Sequence, residues 1–117
     1  MNITNGEKSE LPWFGWEQEY TLTHKPMIPF GIGEGIPLGF TLDPNSTPRP
    51  QGDYYCGIGS DNVVGRDIVE EHMNMCMEIG LDISGINAEV LLGQWEYQIG
   101  PVTALEGSDQ LWVSRYL

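Results

Sequence analysis

The sequence predicts a single small α+β domain. Three observations carry this: 117 residues suffice for one domain with a modest core; an aromatic and Thr-rich run at residues 13–22 reads as a strand, with further strand-type runs after residue 81; and apolar residues recur at helical spacing between residues 66 and 79.

Residues 1–10 are polar and are expected to be loose, so the domain proper runs over 11–117. Lys25 to Asp53 holds most of the prolines and many glycines without a sustained period, and reads as one long loop of the kind that serves a site or a partner. Tyr54-Tyr55-Cys56-Gly57-Ile58-Gly59 reads as a short β-type run, after which Ser60 or Asp61 helps start a helical region. Ile68, Val69, Met73, Cys76 and Ile79 then mark a helix, and Gly80 stands where a C-terminal cap belongs. Leu81 to Asn87, Glu89 to Leu92 and Trp95 to Ile99 read as strands broken at Gly93, two of them forming a hairpin. Gly107-Ser108-Asp109 signals a last helix carrying Leu111, Trp112, Val113, Tyr116 and Leu117. That helix reaches the end of the sequence with its apolar stripe unfinished, and the expectation is a chain cut short.

Five Lys and Arg against seventeen Asp and Glu give a net charge of −12. Such a chain repels phosphate backbones and anionic lipid, which argues against nucleic-acid and membrane-surface binding. No apolar run is long enough to span a bilayer, and Met1 to Lys8 has neither a basic nor an apolar signal region, so a cytoplasmic location is expected. Cys56 and Cys76 match no zinc spacing and are expected to be reduced core thiols.

The acidic residues carry the chemistry. On a strand, residues two apart share a face, so Glu17 and Glu19 stand about 7 Å apart on one side. Glu89 and Glu96 face each other if the segment between them is a hairpin turn. Four convergent carboxylates without His or Cys partners suit a hard divalent ion, Mg²⁺ or Mn²⁺. The spacing alone is equally met by four solvated glutamates on half-exposed strands.

The wording of the chain adds a resemblance. Pro12-Trp13-Phe14-Gly15-Trp16-Glu17-Gln18-Glu19-Tyr20-Thr21-Leu22 resembles a signature of the glutamine synthetases, in their eukaryotic-type branch. The likeness continues in order through Pro50-Gln51-Gly52-Asp53-Tyr54-Tyr55-Cys56-Gly57, Gly65-Arg66-Asp67-Ile68-Val69-Glu70, Gly85-Ile86-Asn87-Ala88-Glu89-Val90, Gln94-Trp95-Glu96-Tyr97-Gln98-Ile99-Gly100-Pro101 and Asp109-Gln110-Leu111-Trp112-Val113-Ser114-Arg115. It implies a curved antiparallel sheet with packed helices, the front part of an incomplete catalytic domain. It also implies ATP-dependent ligation of ammonia to L-glutamate through a γ-glutamyl phosphate, with Mg²⁺ or Mn²⁺. By position, Glu17 would bind one metal, and Glu19, Glu89 and Glu96 the other. Glu17 and the run Glu96, Tyr97, Gln98, Ile99, Gly100, Pro101 would lie along ATP, and Tyr55 beside the ammonium pocket. Family members assemble as homo-oligomeric rings with sites between subunits.

The chain departs from the family pattern in several places. It ends before the family's His metal ligand, its phosphate arginines and its flap glutamate; His24 and His72 read as a loop and a packed or surface residue. The loop after residue 25 is longer, Asp53 replaces a proline and Leu92-Gly93 replaces a Pro-Ala. The 117 residues alone are therefore expected to lack synthetase activity. The alternative is a short non-catalytic relative that binds divalent metal or docks onto a full-length subunit; a ligase for another amine would share the metal site.

Overall fold

The computed structural model describes residues 3–5, 8–23, 51–59 and 63–117. The long loop expected over 25–53 lies outside the described residues as far as residue 50, and so do His24, Ser60 and Asp61.

Near the N-terminus, β1 (Ile3–Asn5) and β2 (Lys8–Glu10) pair antiparallel, with Ile3 opposite Glu10, Thr4 opposite Ser9 and Asn5 opposite Lys8. A second sheet holds β3 (Trp13–Thr21), β4 (Ile83–Ala88) and β5 (Gln94–Thr103) in the order β3-β5-β4, all antiparallel. The helices are α1 (Arg66–Glu78) and α2 (Ala104–Tyr116). The α+β class is as the sequence indicates.

Strand β5 is central, so both of its edges are hydrogen-bonded, and Trp95, Tyr97 and Ile99 are all buried. Strand β3 alternates as a half-buried strand should, with Trp16, Gln18 and Tyr20 half-buried and Glu17, Glu19 and Thr21 exposed. Helix α1 buries Val69 and Cys76, seven residues apart, whereas Ile68 and Ile79 of its expected stripe are exposed. Its end is a two-bond glycine cap: Leu81 N–H donates to Cys76 O at 3.0 Å and Gly80 N–H to Met77 O at 3.0 Å. Gly80 takes φ +86 there, a conformation that costs glycine least.

Three expectations are corrected. Tyr54 to Gly59 is a turn, because Tyr55 N–H donates to Gly52 O, Gly57 N–H to Tyr54 O, and Cys56 takes φ 52. Glu89 to Leu92 is the connection between β4 and β5 and not a strand of its own; Gln94 N–H returns to Leu91 O at 3.1 Å and Gly93 takes φ 78. Helix α2 starts at Ala104, behind Thr103 in an extended conformation, three residues before the Gly-Ser-Asp signal.

By contacts the chain divides into two units, one of Met1–Gln18, Glu71–Gly85 and Tyr97–Leu117, the other of Glu19–Glu70 and Ile86–Glu96. In the second unit Val63, Val69, Ala88 and Trp95 form a core, with Tyr20, Leu22 and Ile86 packed against it. Trp95 is fixed there twice over: its indole N–H donates to Val64 O at 2.9 Å and the Arg66 guanidinium lies 5.0 Å over its ring. In the first unit His72 Nε2 bonds Ser114 O at 2.8 Å, which requires the proton on that nitrogen because a carbonyl only accepts. Ser114 Oγ donates to Leu111 O, so the Tyr97 hydroxyl, 2.8 Å away, donates to Ser114 Oγ.

Candidate metal centre

Glu19 comes from the end of β3, Glu96 from the start of β5, and Glu89 from the turn that joins β4 to β5. The turn is built by its own backbone: Glu89 N–H donates to Gln94 O at 2.9 Å. The hairpin therefore folds the two glutamates toward each other, as the sequence spacing allows. One carboxylate oxygen from each of Glu19, Glu89 and Glu96 lies within 4.8 Å of the others. Glu89 and Glu96 are buried at 8% and 7% exposure, while Glu19 is exposed.

Two neighbours orient these groups. Glu89 Oε2 accepts from the Val90 amide at 2.9 Å, and Glu19 Oε2 accepts from Gln94 Nε2 at 2.9 Å. The Val90 amide pulls the Glu89 carboxyl down, yet burial, a hydrogen bond with Glu96 and the charges of Glu19 and Glu96 together raise it above the ordinary carboxylate range. The site thus gathers three carboxyl groups whose crowding is eased where Glu89 and Glu96 share a proton. Two oxygens at 2.0 to 2.6 Å from one ion stand at most about 4 to 5 Å apart, so this spacing fits a single hard divalent ion.

The segment 51–59 runs beside the same turn. Gly52 N–H donates to Val90 O at 2.8 Å and Cys56 N–H to Ala88 O at 2.9 Å, and the Arg66 guanidinium donates to Gly57 O at 2.9 Å. Tyr55 is exposed there, and its phenol is raised by Cys56 first and then by the charges of Glu89 and Glu96. Of the two cysteines expected in the core, Cys76 is buried and Cys56 is exposed on this turn; both are free thiols.

The remaining candidates belong to the first unit. Glu17, Gln98, Ile99, Gly100 and Pro101 line a cleft of about 490 Å³, together with Gly15, Trp16 and Ser84. A side chain on Gly100 would overlap Phe14 O, so only glycine lets the β3 backbone pass this closely. Tyr97 stands apart from the other members of its run: it is buried, with its ring 5.3 Å from that of His72 and its hydroxyl on Ser114. His72 is accordingly a packed histidine. Trp16, Ser84 and Gln94 were not singled out from sequence, although Gln94, two residues before Glu96 on one strand, is marked by the same period that marks Glu17 and Glu19.

No protein-family model matches the chain. Among curated proteins it is 54% identical over 109 residues to a glutamine synthetase of Streptomyces viridochromogenes, covering 93% of this chain and 29% of that one. It is 49% identical over 108 residues to the glutamine synthetase cytosolic isozyme 1-3 of Arabidopsis thaliana, with 92% and 28% covered. A glutamine synthetase of Tuber borchii is 50% identical over 115 residues, with 98% and 29% covered. The chain is homologous to the glutamine synthetases. It spans 28% to 29% of the length of these synthetases. No helix among the described residues is long and apolar enough to cross a membrane.

Proposed function

We propose that residues 11–117 are the N-terminal, metal-holding part of the catalytic domain of a cytoplasmic glutamine synthetase, working within a polypeptide of the relatives' length. The observation that carries this reading is the convergence of Glu19, Glu89 and Glu96 within 4.8 Å in a chain about half identical to such enzymes. The reaction joins ammonia to L-glutamate: the glutamate side-chain carboxylate takes the γ-phosphoryl group of ATP, and ammonia then displaces phosphate from the γ-glutamyl phosphate.

A divalent ion, Mg²⁺ or Mn²⁺, supplies charge neutralisation and orientation to the transferring phosphoryl group. Glu19, Glu89 and Glu96 hold that ion, and Glu17 is assigned to a second one on the nucleotide side. Gln98, Ile99, Gly100 and Pro101 offer ATP a glycine-narrowed cleft wall, and Glu96 and Tyr97 precede them on the same strand. Tyr55, exposed and within the field of Glu89 and Glu96, is assigned to the ammonium side, where negative potential favours a cation. Homo-oligomeric assembly into a ring, with sites shared between subunits, belongs to the same reading.

Titration of the chain with Mn²⁺, followed by electron paramagnetic resonance, tests it. Binding with a dissociation constant on the order of millimolar is expected for this small donor set. Glu19→Gln, Glu89→Gln and Glu96→Gln should each weaken binding by about tenfold or more. Equal titrations for the parent and all three variants would overturn the reading.

A further inference from the structure

We propose that Gln94 is a positioning residue of the carboxylate site, acting through Glu19. This inference rests on the metal-site reading above and adds to it a group that holds the donors in place.

Gln94 is where the three donor segments meet. Its backbone carbonyl accepts the Glu89 amide at 2.9 Å, and its own amide N–H closes the turn onto Leu91 O at 3.1 Å. Its side-chain Oε1 accepts the Leu91 N–H at 3.2 Å while Nε2 donates to Glu19 Oε2 at 2.9 Å. These partners fix the amide orientation, because a backbone N–H demands the oxygen and a carboxylate demands the NH₂. The side chain thus carries the rigidity of the β4–β5 turn across to a glutamate on a different strand. Glu96 lies two residues along the same strand and so on the same face.

The exposure of Glu19 gives this bond its purpose. Glu89 and Glu96 are held by burial, whereas an exposed glutamate has several staggered rotamers and loses entropy when it joins an ion. The Gln94 amide selects one of those rotamers in advance. It also donates to a charged acceptor, the stronger class of hydrogen bond. Groups that orient ligands in this way typically account for about 10- to 100-fold in metal affinity.

The test is a double-mutant cycle read on Mn²⁺ affinity. Glu19→Gln, and separately Glu89→Gln, is made in the parent chain and in a Gln94→Met background. Gln94→Met removes the donor to Glu19 without placing a further carboxylate at the site. The expected loss from Glu19→Gln is about tenfold or more in the parent and less than about threefold with Gln94→Met, while Glu89→Gln costs about tenfold in both. A Glu19→Gln loss of the same size in both backgrounds, or a Glu89→Gln loss that shrinks alongside it, would show that Gln94 serves the hairpin alone and would overturn the inference, leaving the metal site standing. Parent binding no tighter than that of Glu96→Gln would overturn the metal-site reading itself, and this inference with it.

Discussion

The ring of Trp16 occupies the space in which a side chain on Gly107 would stand: a Cβ built on that glycine overlaps three carbons of the indole. Gly107 is buried in the second turn of α2, and Trp16 lines the cleft beside Glu17. A helix-weakening residue is therefore kept inside a helix because an aromatic ring from β3 needs the room.

Gly107→Ala follows directly. In an open helix position the change would stabilise by about 1 kcal/mol through propensity. Here the added methyl meets a large, packed ring, and overpacking of this kind costs about 1 to 3 kcal/mol. The expected result is a net loss of stability in urea unfolding and a shift in Trp fluorescence. A stabilised variant with unchanged emission would contradict it.

This contact also marks what the sequence did and did not disclose. Elements governed by local chemistry were legible: the aromatic β3, the α1 period with its Gly80 cap, and the hairpin that brings Glu89 to Glu96. Elements decided by distant partners were not. Gly107-Ser108-Asp109 looks like a helix start, but Gly107 answers to Trp16 and the helix begins at Ala104. Val90-Leu91-Leu92 has strand-forming residues, yet Leu92 is buried within the turn that Gln94 closes. Tyr54-Tyr55-Cys56 has strand composition, and its backbone is spent instead on a turn and on single bonds to Ala88 O and, through Gly52, Val90 O. Repeated acidic residues on strands are conspicuous, but their spacing is equally that of solvated glutamates, and it is the resemblance that marks Glu19, Glu89 and Glu96 among them; Gln94, which bonds one of them, is an ordinary glutamine.

The two thiols should separate cleanly in reactivity. Cys76 is fully buried in α1, 3.6 Å from His72 Nε2, and burial raises its thiol above the usual range, which lowers the thiolate fraction. Cys56 is exposed on the 51–59 turn. An aromatic disulfide reagent at neutral pH should therefore modify one thiol rapidly and the second only after denaturant is added, with peptide mapping placing the fast site at Cys56. Two fast thiols in the native chain would show that α1 does not shield Cys76.

Tyr97 gives stability an alkaline limit. Burial raises its phenol above the ordinary tyrosine range of about 10, so the folded chain holds this proton more tightly than the unfolded chain does. The corresponding stability is fully present below about pH 10 and is lost as pH rises through the folded value. Melting temperatures measured from pH 8 upward should fall beyond pH 10, and Tyr97→Phe should make that fall shallower. An identical slope in the variant would mean that Tyr97 ionises as freely in the folded chain as in the unfolded one.

The carboxylate site should show opposite effects with and without metal. Glu19, Glu89 and Glu96 hold oxygens within 4.8 Å, and the burial of Glu89 and Glu96 limits the screening that water and salt provide. Without a cation this arrangement works against folding. Glu96→Gln removes one charge while keeping shape and adding a donor that suits Glu89, so the metal-free variant should be more stable, by roughly 1 kcal/mol or on the order of 4 °C. With Mn²⁺ at ten times its dissociation constant, the parent gains about 1.4 kcal/mol by mass action. The variant, deprived of a ligand, should gain little. The two melting curves then exchange order on adding Mn²⁺, which separates a site held together for a cation from glutamates that are merely solvated: in the latter case the substitution changes stability equally under both conditions.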